Sequence, residues 1–201
     1  LDGFAGDVWF FSIYFFICLR LTPTWGIWIW MMAALSGLIC HSKQCALADY
    51  YRNIHLYFLK GKDGSELDNS HQQHSLFREA PWKGHFWFKL FHFFYGNYTH
   101  SQEQMTPKFQ RFFVLVQQKF GQRIPQYLRD EFRAGSLPLM KWANILTFNT
   151  RAIILFVVIL MGVPWVYFVF ELTVMNILFF YMRGRHEALC ARLTTELEGK
   201  A

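Results

Sequence analysis

The fold is decided by residues 152–182, which read AIILFVVILMGVPWVYFVFELTVMNILFFYM. Glu171 is the only charged side chain in this stretch, and Gly162-Val163-Pro164 is its only cluster of turn-forming residues. A helix needs about 20 mostly apolar residues to cross the hydrocarbon core of a bilayer. Pro lacks a backbone donor and disfavours helix in the residue before it, so the cluster predicts a tight turn. We therefore expect a hairpin of two membrane-spanning helices, residues 139–161 and 165–182.

A second pair of apolar runs lies near the start of the chain. Residues 8–19 and 25–40 contain no charged side chain, and Thr22-Pro23-Thr24 stands between them. By the same reasoning this segment predicts a turn between two spanning helices, residues 3–21 and 25–46. A single run of this length would also fit a core helix of a large soluble protein, but four runs with two Pro turns fit that class poorly. The predicted fold is an all-α, polytopic membrane helix bundle with four visible transmembrane helices.

The composition indicates a polar block between the two apolar pairs. The chain is 53% hydrophobic and 20% aromatic, yet its mean hydropathy is only +0.13. We interpret residues 60–137 as a cytoplasmic or interfacial helical insertion. It separates residues 1–59, two transmembrane helices with Asp residues at their cytoplasmic start, from residues 138–201, two transmembrane helices and a short cytoplasmic tail.

The positive charges predict the orientation. Most of the chain's 20 Lys and Arg lie in residues 41–141, and neither Pro-containing turn has one. Lys and Arg accumulate on the cytoplasmic side of membrane proteins, so we expect the middle block and both ends there, in an inner or cytoplasmic membrane. The net charge of +6 could also suit nucleic acid. Because no nucleic-acid-binding motif is present, membrane lipids are the expected partner and nucleic acid is not.

The middle block has two aromatic segments. In residues 82–95 aromatic side chains alternate with Lys and His, which predicts a helix at the membrane interface with Lys83 and Lys89 directed toward anionic headgroups. Thr106-Pro107 predicts the start of another helix. Its Phe residues recur at helical spacing, and we expect them to pack against the first helix.

Histidine and cysteine invite a test for a metal or redox site. All but one of the eight His residues lie in or beside the middle block, where His71 with His74 and His85 with His92 have helical spacing. No compact zinc-ligand signature is present, so we interpret these side chains as interfacial or solvated. The four cysteines are scattered and are expected to be small apolar fillers in a reducing compartment. They are Cys18, Cys40, Cys45 and Cys190.

Two carboxylates stand at the start of the first apolar run, in Leu1-Asp2-Gly3-Phe4-Ala5-Gly6-Asp7. Acidic side chains at a membrane helix are costly unless they bind a cation or pair with a base. Magnesium is typically held by one or two carboxylates together with substrate phosphate. The alternative is that Asp2 caps the helix and Asp7 pairs with an Arg. Since there is no initiator Met, we expect the chain to begin inside a larger protein.

This heptapeptide resembles the end of the signature of the CDP-alcohol phosphotransferase (CDP-alcohol phosphatidyltransferase) family, D-x2-D-G-x2-A-R followed after about eight to twelve residues by G-x3-D-x3-D. The resemblance places Asp2 at the third family carboxylate and Asp7 near the fourth. It implies that Asp2 and Asp7 bind a divalent metal, Mg²⁺ or Mn²⁺, and that Asp7 is also the catalytic general base. It further implies that the visible helices are the last four of six. The two Asp residues are one residue further apart than in the family, which a bulge or non-helical start through Gly3 and Gly6 would compensate.

The resemblance implies a transferase of phospholipid biosynthesis. Such an enzyme moves a phosphoalcohol or phosphatidyl group from a CDP-linked lipid or alcohol to an acceptor alcohol and releases CMP. No residue of the sequence indicates which donor or which acceptor is used. A homodimer is among the assemblies that we consider. The alternative is a non-catalytic membrane transporter, with Asp2, Asp7, Glu171 and Asn176 along its path, or a scaffold subunit. In every case Glu171 is expected to face the helix bundle and to have a hydrogen-bond partner.

Overall fold

The computed structural model describes residues 2–61, 67, 69–81, 84–121 and 123–199, without the side chains of residues 2–8. The regular structure of these residues is helical throughout, which confirms the all-α class. The chain forms two compact units: a first unit of Leu1–Ala48 with Trp142–Tyr181, and a second unit of Asp49–Lys141 with Met182–Ala201. The predicted division after residues 59 and 137 describes membrane topology instead, and it stays a prediction.

Ten α-helices and two π-helical segments are formed by the described residues. In chain order they are α1 (Asp2–Trp25), α2 (Trp28–Ala34), the first π segment (Leu35–His41), α3 (Ser42–Lys60), α4 (Ser70–Glu79), α5 (Phe86–Met105), α6 (Pro107–Phe120), α7 (Gln126–Ile145), α8 (Phe148–Leu160), α9 (Trp165–Phe170), the second π segment (Glu171–Met175) and α10 (Asn176–Gly199).

The first predicted turn lies later in the chain than expected. Helix α1 continues through Pro23 and ends at Trp25, and the next residue, Gly26, has a φ of 58°. The Gly26 N–H donates to the Thr22 carbonyl at 2.8 Å. Pro has a φ compatible with the helix, whereas a left-handed φ is readily adopted only by Gly. The prediction of a turn at Thr22-Pro23-Thr24 was therefore wrong by about one helical turn.

The second predicted turn is confirmed, but the helix before it is interrupted. Gly162 has a φ of 74°, and Pro164 is the N-cap of α9. We predicted one continuous helix over residues 139–161, whereas α7 ends at Ile145 and α8 begins at Phe148. The Thr147 hydroxyl donates to the Asn144 carbonyl at 2.6 Å, a local bond that competes with helix continuation.

The surface of the first unit is strongly apolar. Trp9, Phe11, Trp28, Phe156 and Leu160 are each more than 60% exposed. Two helical stretches, Gln126–Leu160 and Trp165–Gly199, are long and apolar enough to cross a membrane. Only 28% and 33% of their most apolar windows are buried, whereas a core helix of a soluble protein would be mostly buried. The other two predicted spans stay predictions.

The second unit is built around stacked aromatic rings. Phe58 lies 4.0 Å from Phe132 between ring centroids, and Phe112 lies 5.8 Å from each of them. Phe109 of α6 packs against Tyr50 of α3 at 5.9 Å. The aromatic helix before α6, which we expected to receive these Phe side chains, is therefore not their main partner. Its fully buried Phe side chains pack against α3 and α7, because these helices offer the aromatic partners.

Candidate functional site

The first unit encloses a cluster of polar side chains around Glu171. Both Glu171 and Arg151 are 0% exposed, and they form an ion pair between the Arg151 Nη1 atom and the carboxylate. The prediction that Glu171 faces the bundle and has partners is confirmed. The cluster, named here the Glu171 network, consists of Tyr14, Ser36, His41, Gln44, Arg151, Tyr167 and Glu171.

The two π segments position three members of this network. Ser36 and His41 lie five residues apart in the first π segment, and Glu171 is the first residue of the second. Five residues along an α-helix turn about 140° around its axis. In a π-helix the N–H bonds to the carbonyl five residues back, so such positions lie on one side. The widened turn thereby lets Ser36 and His41 both reach Glu171.

The carboxylate of Glu171 is saturated with donors. The Tyr14 hydroxyl donates at 2.5 Å and the Tyr167 hydroxyl at 3.0 Å, and the Ser36 hydroxyl and the Arg151 guanidinium also donate. His41 Nδ1 lies 2.9 Å from Oε1. A carboxylate offers about four lone-pair sites. Glu171 in this arrangement therefore has no free position for a metal ion or a substrate.

His41 lies between opposite charges. Its Nδ1 atom is 2.9 Å from the Glu171 carboxylate and 3.1 Å from Arg151 Nη1. When protonated, Nδ1 donates to the carboxylate. When unprotonated, it accepts from the guanidinium, which has donors only. This nitrogen therefore has a partner in either protonation state.

Arg151 connects the carboxylate to the surrounding helices. Its Nη2 atom donates to Gln44 Oε1 at 2.6 Å, and its Nε atom donates to the Leu146 carbonyl at 3.2 Å. Gln44 in turn donates to Asn176 Oδ1 at 2.8 Å. The break between α7 and α8 leaves the Leu146 carbonyl free of a helical partner, so it can accept from Arg151. The network is thus a fully paired polar core in an apolar unit.

An apolar cavity of about 380 Å³ lies beside the network, between α1, α2 and the first π segment. Phe10, Phe15 and Trp30 line it, together with Tyr14 and His41, which also belong to the Glu171 network. Its volume lies in the range of about 300–1,000 Å³ typical of small-molecule sites. The lining residues Phe11 and Leu38 are 66% and 71% exposed, so the cavity opens at the apolar surface of the unit. It suits an apolar chain with a polar end.

Gly37 permits the close approach that shapes this cavity. A Cβ atom at position 37 would lie 2.9 Å from Cε2 of the Tyr14 ring, closer than van der Waals contact allows. Glycine at this position therefore lets the first π segment pack directly on α1.

The predicted site residues Asp2 and Asp7 lie in the first two turns of α1, and their side chains are outside the described residues. The backbone is α-helical through Gly3 and Gly6, without the realigning bulge or non-helical start that we considered. Positions 2 and 7 are therefore about 140° apart around the helix axis. Their assignment as metal ligands, and of Asp7 as base, stays a prediction.

Among the described side chains, no group of three or more His, Cys, Asp or Glu could hold a metal ion. In the middle block, the Nδ1 atom of His92 lies 2.8 Å from Gln73 Oε1, which is a hydrogen-bond contact. All four cysteines are free thiols.

Arg151 is one of several members of the Glu171 network that the sequence did not lead us to expect. It stands directly before the quoted apolar stretch, inside a predicted spanning helix, and a charge in that position is itself a signal. Comparisons with protein-family models, curated proteins and solved structures return no match for this chain. Its function is therefore inferred from its residues and their geometry.

Proposed function

We propose that this chain is the membrane-embedded part of a CDP-alcohol phosphotransferase, which transfers a phosphoalcohol or phosphatidyl group from a CDP-linked donor to an alcohol and releases CMP. One observation carries the proposal. Helix α1 has the Asp2-Gly3…Asp7 motif in its first two turns, and from Phe10 to Cys18 it forms one wall of the apolar cavity. A single helix thus joins a candidate catalytic end to a candidate lipid site.

The reversed polarity of the first unit supports a membrane location. Two of its charged side chains, Glu171 and Arg151, are buried, and many of its large apolar side chains are exposed. Buried, paired charges beneath an apolar surface are typical of membrane helices. The proposal places all four predicted spans in an inner or cytoplasmic membrane. The start of α1, the chain's C-terminal end and residues 60–137 then lie on the cytoplasmic side, where CDP-linked substrates are found.

The cavity supports a lipid as one substrate. From position 7 to Tyr14 the helix rises about 10 Å, at 1.5 Å per residue. One lipid molecule can therefore place an acyl chain beside Phe15 and Trp30 while its phosphates approach the start of α1. Tyr14 and His41, the hydrogen-bonding side chains that line the cavity, would contact the glycerol or ester region. Assays with both lipid-linked and headgroup-linked CDP donors decide which of the two substrates carries CDP.

The two aspartates have separate roles in this proposal. Carboxylate oxygens are the ligands that Mg²⁺ and Mn²⁺ prefer, so Asp2 suits a metal site completed by the upstream carboxylates that the resemblance implies. When bound, the cation would neutralise the diphosphate. Because position 7 is about 140° away on the helix, we assign Asp7 chiefly to accepting the proton of the acceptor hydroxyl. The hydroxyl oxygen forms the new P–O bond, the bond to CMP breaks, and CMP leaves.

The Glu171 network has a positioning role. Tyr14 lines the cavity and donates to Glu171, and Arg151 and Tyr167 fix that carboxylate from α8 and α9. Since the network is saturated, it does not need to exchange protons with substrate. It holds α1 at a fixed rotation relative to the other helices of the first unit, which a site on that helix requires.

The experiment compares three carboxylate variants in the longer protein that includes the upstream half of the signature. Asp2→Asn should abolish CMP release, and extra Mg²⁺ or Mn²⁺ should not restore it. Asp7→Asn should leave binding of the CDP-linked substrate intact and slow turnover about a hundredfold or more. Asp49→Asn is the control, because Asp49 pairs with Arg52 on the surface. Equal CMP release by the wild type and all three variants would refute the proposal.

A second candidate is a non-catalytic membrane transporter or scaffold subunit, which the buried charges of Glu171 and Arg151 favour. A transport path needs polar groups that can exchange partners with the cargo. The hydrogen-bond saturation of Glu171 argues against that use. Flux of ions or metabolites into liposomes containing the protein, abolished by Glu171→Gln while that variant remains folded, would favour the transporter over the enzyme.

A further inference from the structure

Helix α5, which pairs with α4 in the second unit, has the reverse polarity of a helix on the surface of a soluble protein. The side of α5 that is buried consists of polar or small residues, whereas its exposed side is aromatic. The buried residues are Lys89, His92, Gly96, Thr99 and Gln102. A helix on the surface of a soluble protein buries its apolar stripe and exposes its polar one.

Polar contacts hold the inside of the hairpin together. His92 Nδ1 lies 2.8 Å from Gln73 Oε1, and the Ser70 N–H donates to Glu103 Oε1 at 2.9 Å. Lys89 donates through Nζ to the Ala80 carbonyl at 2.8 Å. Its ammonium also lies 4.5 Å from the centroid of the Phe77 ring. These buried polar groups have hydrogen-bond partners within the hairpin, so they do not depend on water for a partner.

A small residue allows the two helices to approach closely. A Cβ atom at Gly96 would lie 3.3 Å from Cε1 and Nε2 of the His74 ring, and 3.5 Å from the Gln73 Cβ. Helix pairs in membranes commonly combine small residues at the crossing with hydrogen bonds between side chains. The interior of this hairpin has both features.

The outer side of α5 carries an aromatic stripe, defined as Trp87, Phe91, Phe94 and Tyr98. These side chains are 78%, 60%, 62% and 36% exposed. Their spacing places them within about 60° of one another around the helix. Apolar area of this kind is costly in water and marks an interaction surface.

The stripe is too short to cross a bilayer. From Trp87 to Tyr98 the helix rises about 17 Å, which is roughly half of a hydrocarbon core of about 30 Å. The next turns of α5 expose His100 and Gln104, which are polar. The helix therefore changes from an apolar to a polar surface along its length.

We propose that the α4–α5 hairpin inserts its aromatic stripe into one leaflet of a phospholipid bilayer. A bilayer is the occupant favoured here because the polar groups buried beneath the stripe have partners within the hairpin, and because Trp and Tyr prefer the boundary between headgroups and acyl chains. Two other helical stretches of the chain are long and apolar enough to cross a membrane. This proposal does not depend on the phosphotransferase activity.

The anchor differs from the one that the sequence suggested. Lys89 was expected to reach anionic headgroups, but it is 4% exposed and bound inside the hairpin. Lys83 lies outside the described residues. Anchoring by the aromatic stripe depends on apolar burial, which added salt does not screen.

Site-directed spin labelling of the whole protein in phosphatidylcholine liposomes tests the proposal. A nitroxide amino acid is introduced at position 91 or 94, and at Gln104 as the matched control on the same helix. We expect labels at 91 and 94 to be several-fold more accessible to O₂ than to a water-soluble nickel chelate, and the label at 104 to show the reverse. The accessibilities should also stay unchanged in 0.5 M salt, because salt screens contacts between charges but not the burial of apolar side chains.

Two results would overturn the proposal. Labels at 91 and 94 that react with the nickel chelate as fast as the label at 104 would place the stripe in water. Labels that neither reagent reaches would place it against protein, such as a second copy of the chain. As an independent measurement, the emission of Trp87 is obtained as the difference in fluorescence between the wild type and Trp87→Phe. Brominated lipid should quench this emission. Quenching of that emission by aqueous iodide instead would contradict membrane insertion.

Discussion

Replacing Arg151 by Met should strongly destabilise the first unit. The substitution keeps a long side chain but leaves the carboxylate of Glu171, which is 0% exposed, without its ion-pair partner. It also removes the donors to Gln44 Oε1 and to the Leu146 carbonyl. Removing one member of a buried ion pair costs about 3–5 kcal/mol.

The expected change in melting temperature follows from this cost. For a chain of this size, each kcal/mol shifts the melting temperature by about 2–4 °C. Arg151→Met should therefore lower it by about 6–20 °C, measured by circular dichroism of the protein in nanodiscs. Arg52→Met is the matched control, because Arg52 and its partner Asp49 are 50% and 41% exposed. An exposed pair contributes about 0–1 kcal/mol.

The double variant Arg151→Met with Glu171→Gln decides whether the charges act as a pair. Each single variant leaves an uncompensated buried charge, whereas the double variant leaves none. It should therefore be more stable than the sum of the two single losses predicts, by about 1–3 kcal/mol. Additive losses would refute the reasoning, because they would mean that Glu171 and Arg151 do not depend on each other.

Three further substitutions test other parts of the structure by the same unfolding measurement. Gly37→Ala should cost about 1–3 kcal/mol, because its Cβ would displace the Tyr14 ring; wild-type stability would contradict the close approach. Tyr51→Phe should stabilise by about 1 kcal/mol, because the buried Tyr51 hydroxyl has no hydrogen-bond partner among the described residues; a loss of stability would indicate a partner. Burial and the charge of Arg133 lower the pKa of His55, so its neutral form is favoured on folding. Its contribution is therefore complete above the unfolded pKa of about 6.5 and is lost as the pH falls below it. Wild type should lose more stability than His55→Gln between pH 8 and pH 5, and parallel losses would contradict this.

Glu171 and Arg151 show which part of the site a sequence can predict. A lone charge in an apolar stretch indicates a buried, paired side chain, and that expectation holds for Glu171. The partner was harder to identify, since Arg151 stands just outside the stretch. A hairpin centred on Gly162-Val163-Pro164 does place both residues at comparable depth, within the reach of an Arg side chain. The signal was therefore present in the spacing.

Helix ends and π segments were less accessible to sequence reasoning. The turn near Pro23 was predicted because Pro breaks helices, yet its fixed φ fits the last turn of α1 and Gly26 ends the helix instead. The first π segment shows no distinctive composition. It exists because Ser36 and His41 gain a shared partner in Glu171, which is a tertiary contact 130 or more residues away.

The aromatic helix was predicted in kind but not in orientation. Residues 82–95 suggested aromatic side chains at a membrane, with Lys89 reaching outward. In α5 the polar side chains face α4, and the stripe of Trp87, Phe91, Phe94 and Tyr98 faces outward. Periodicity alone predicts two faces for such a helix and cannot decide which of them is covered, because this depends on the polar partners that α4 supplies.

Release of CMP tests the central claim most directly. The purified longer protein, reconstituted in liposomes with Mg²⁺, is given CDP-diacylglycerol or a CDP-linked alcohol with a panel of acceptor alcohols. Released CMP and the new phosphodiester are then quantified by chromatography. The proposed function predicts equal amounts of both products with at least one donor and acceptor pair, and neither product with EDTA. Folded protein that releases no CMP from any donor in the presence of Mg²⁺ would contradict it.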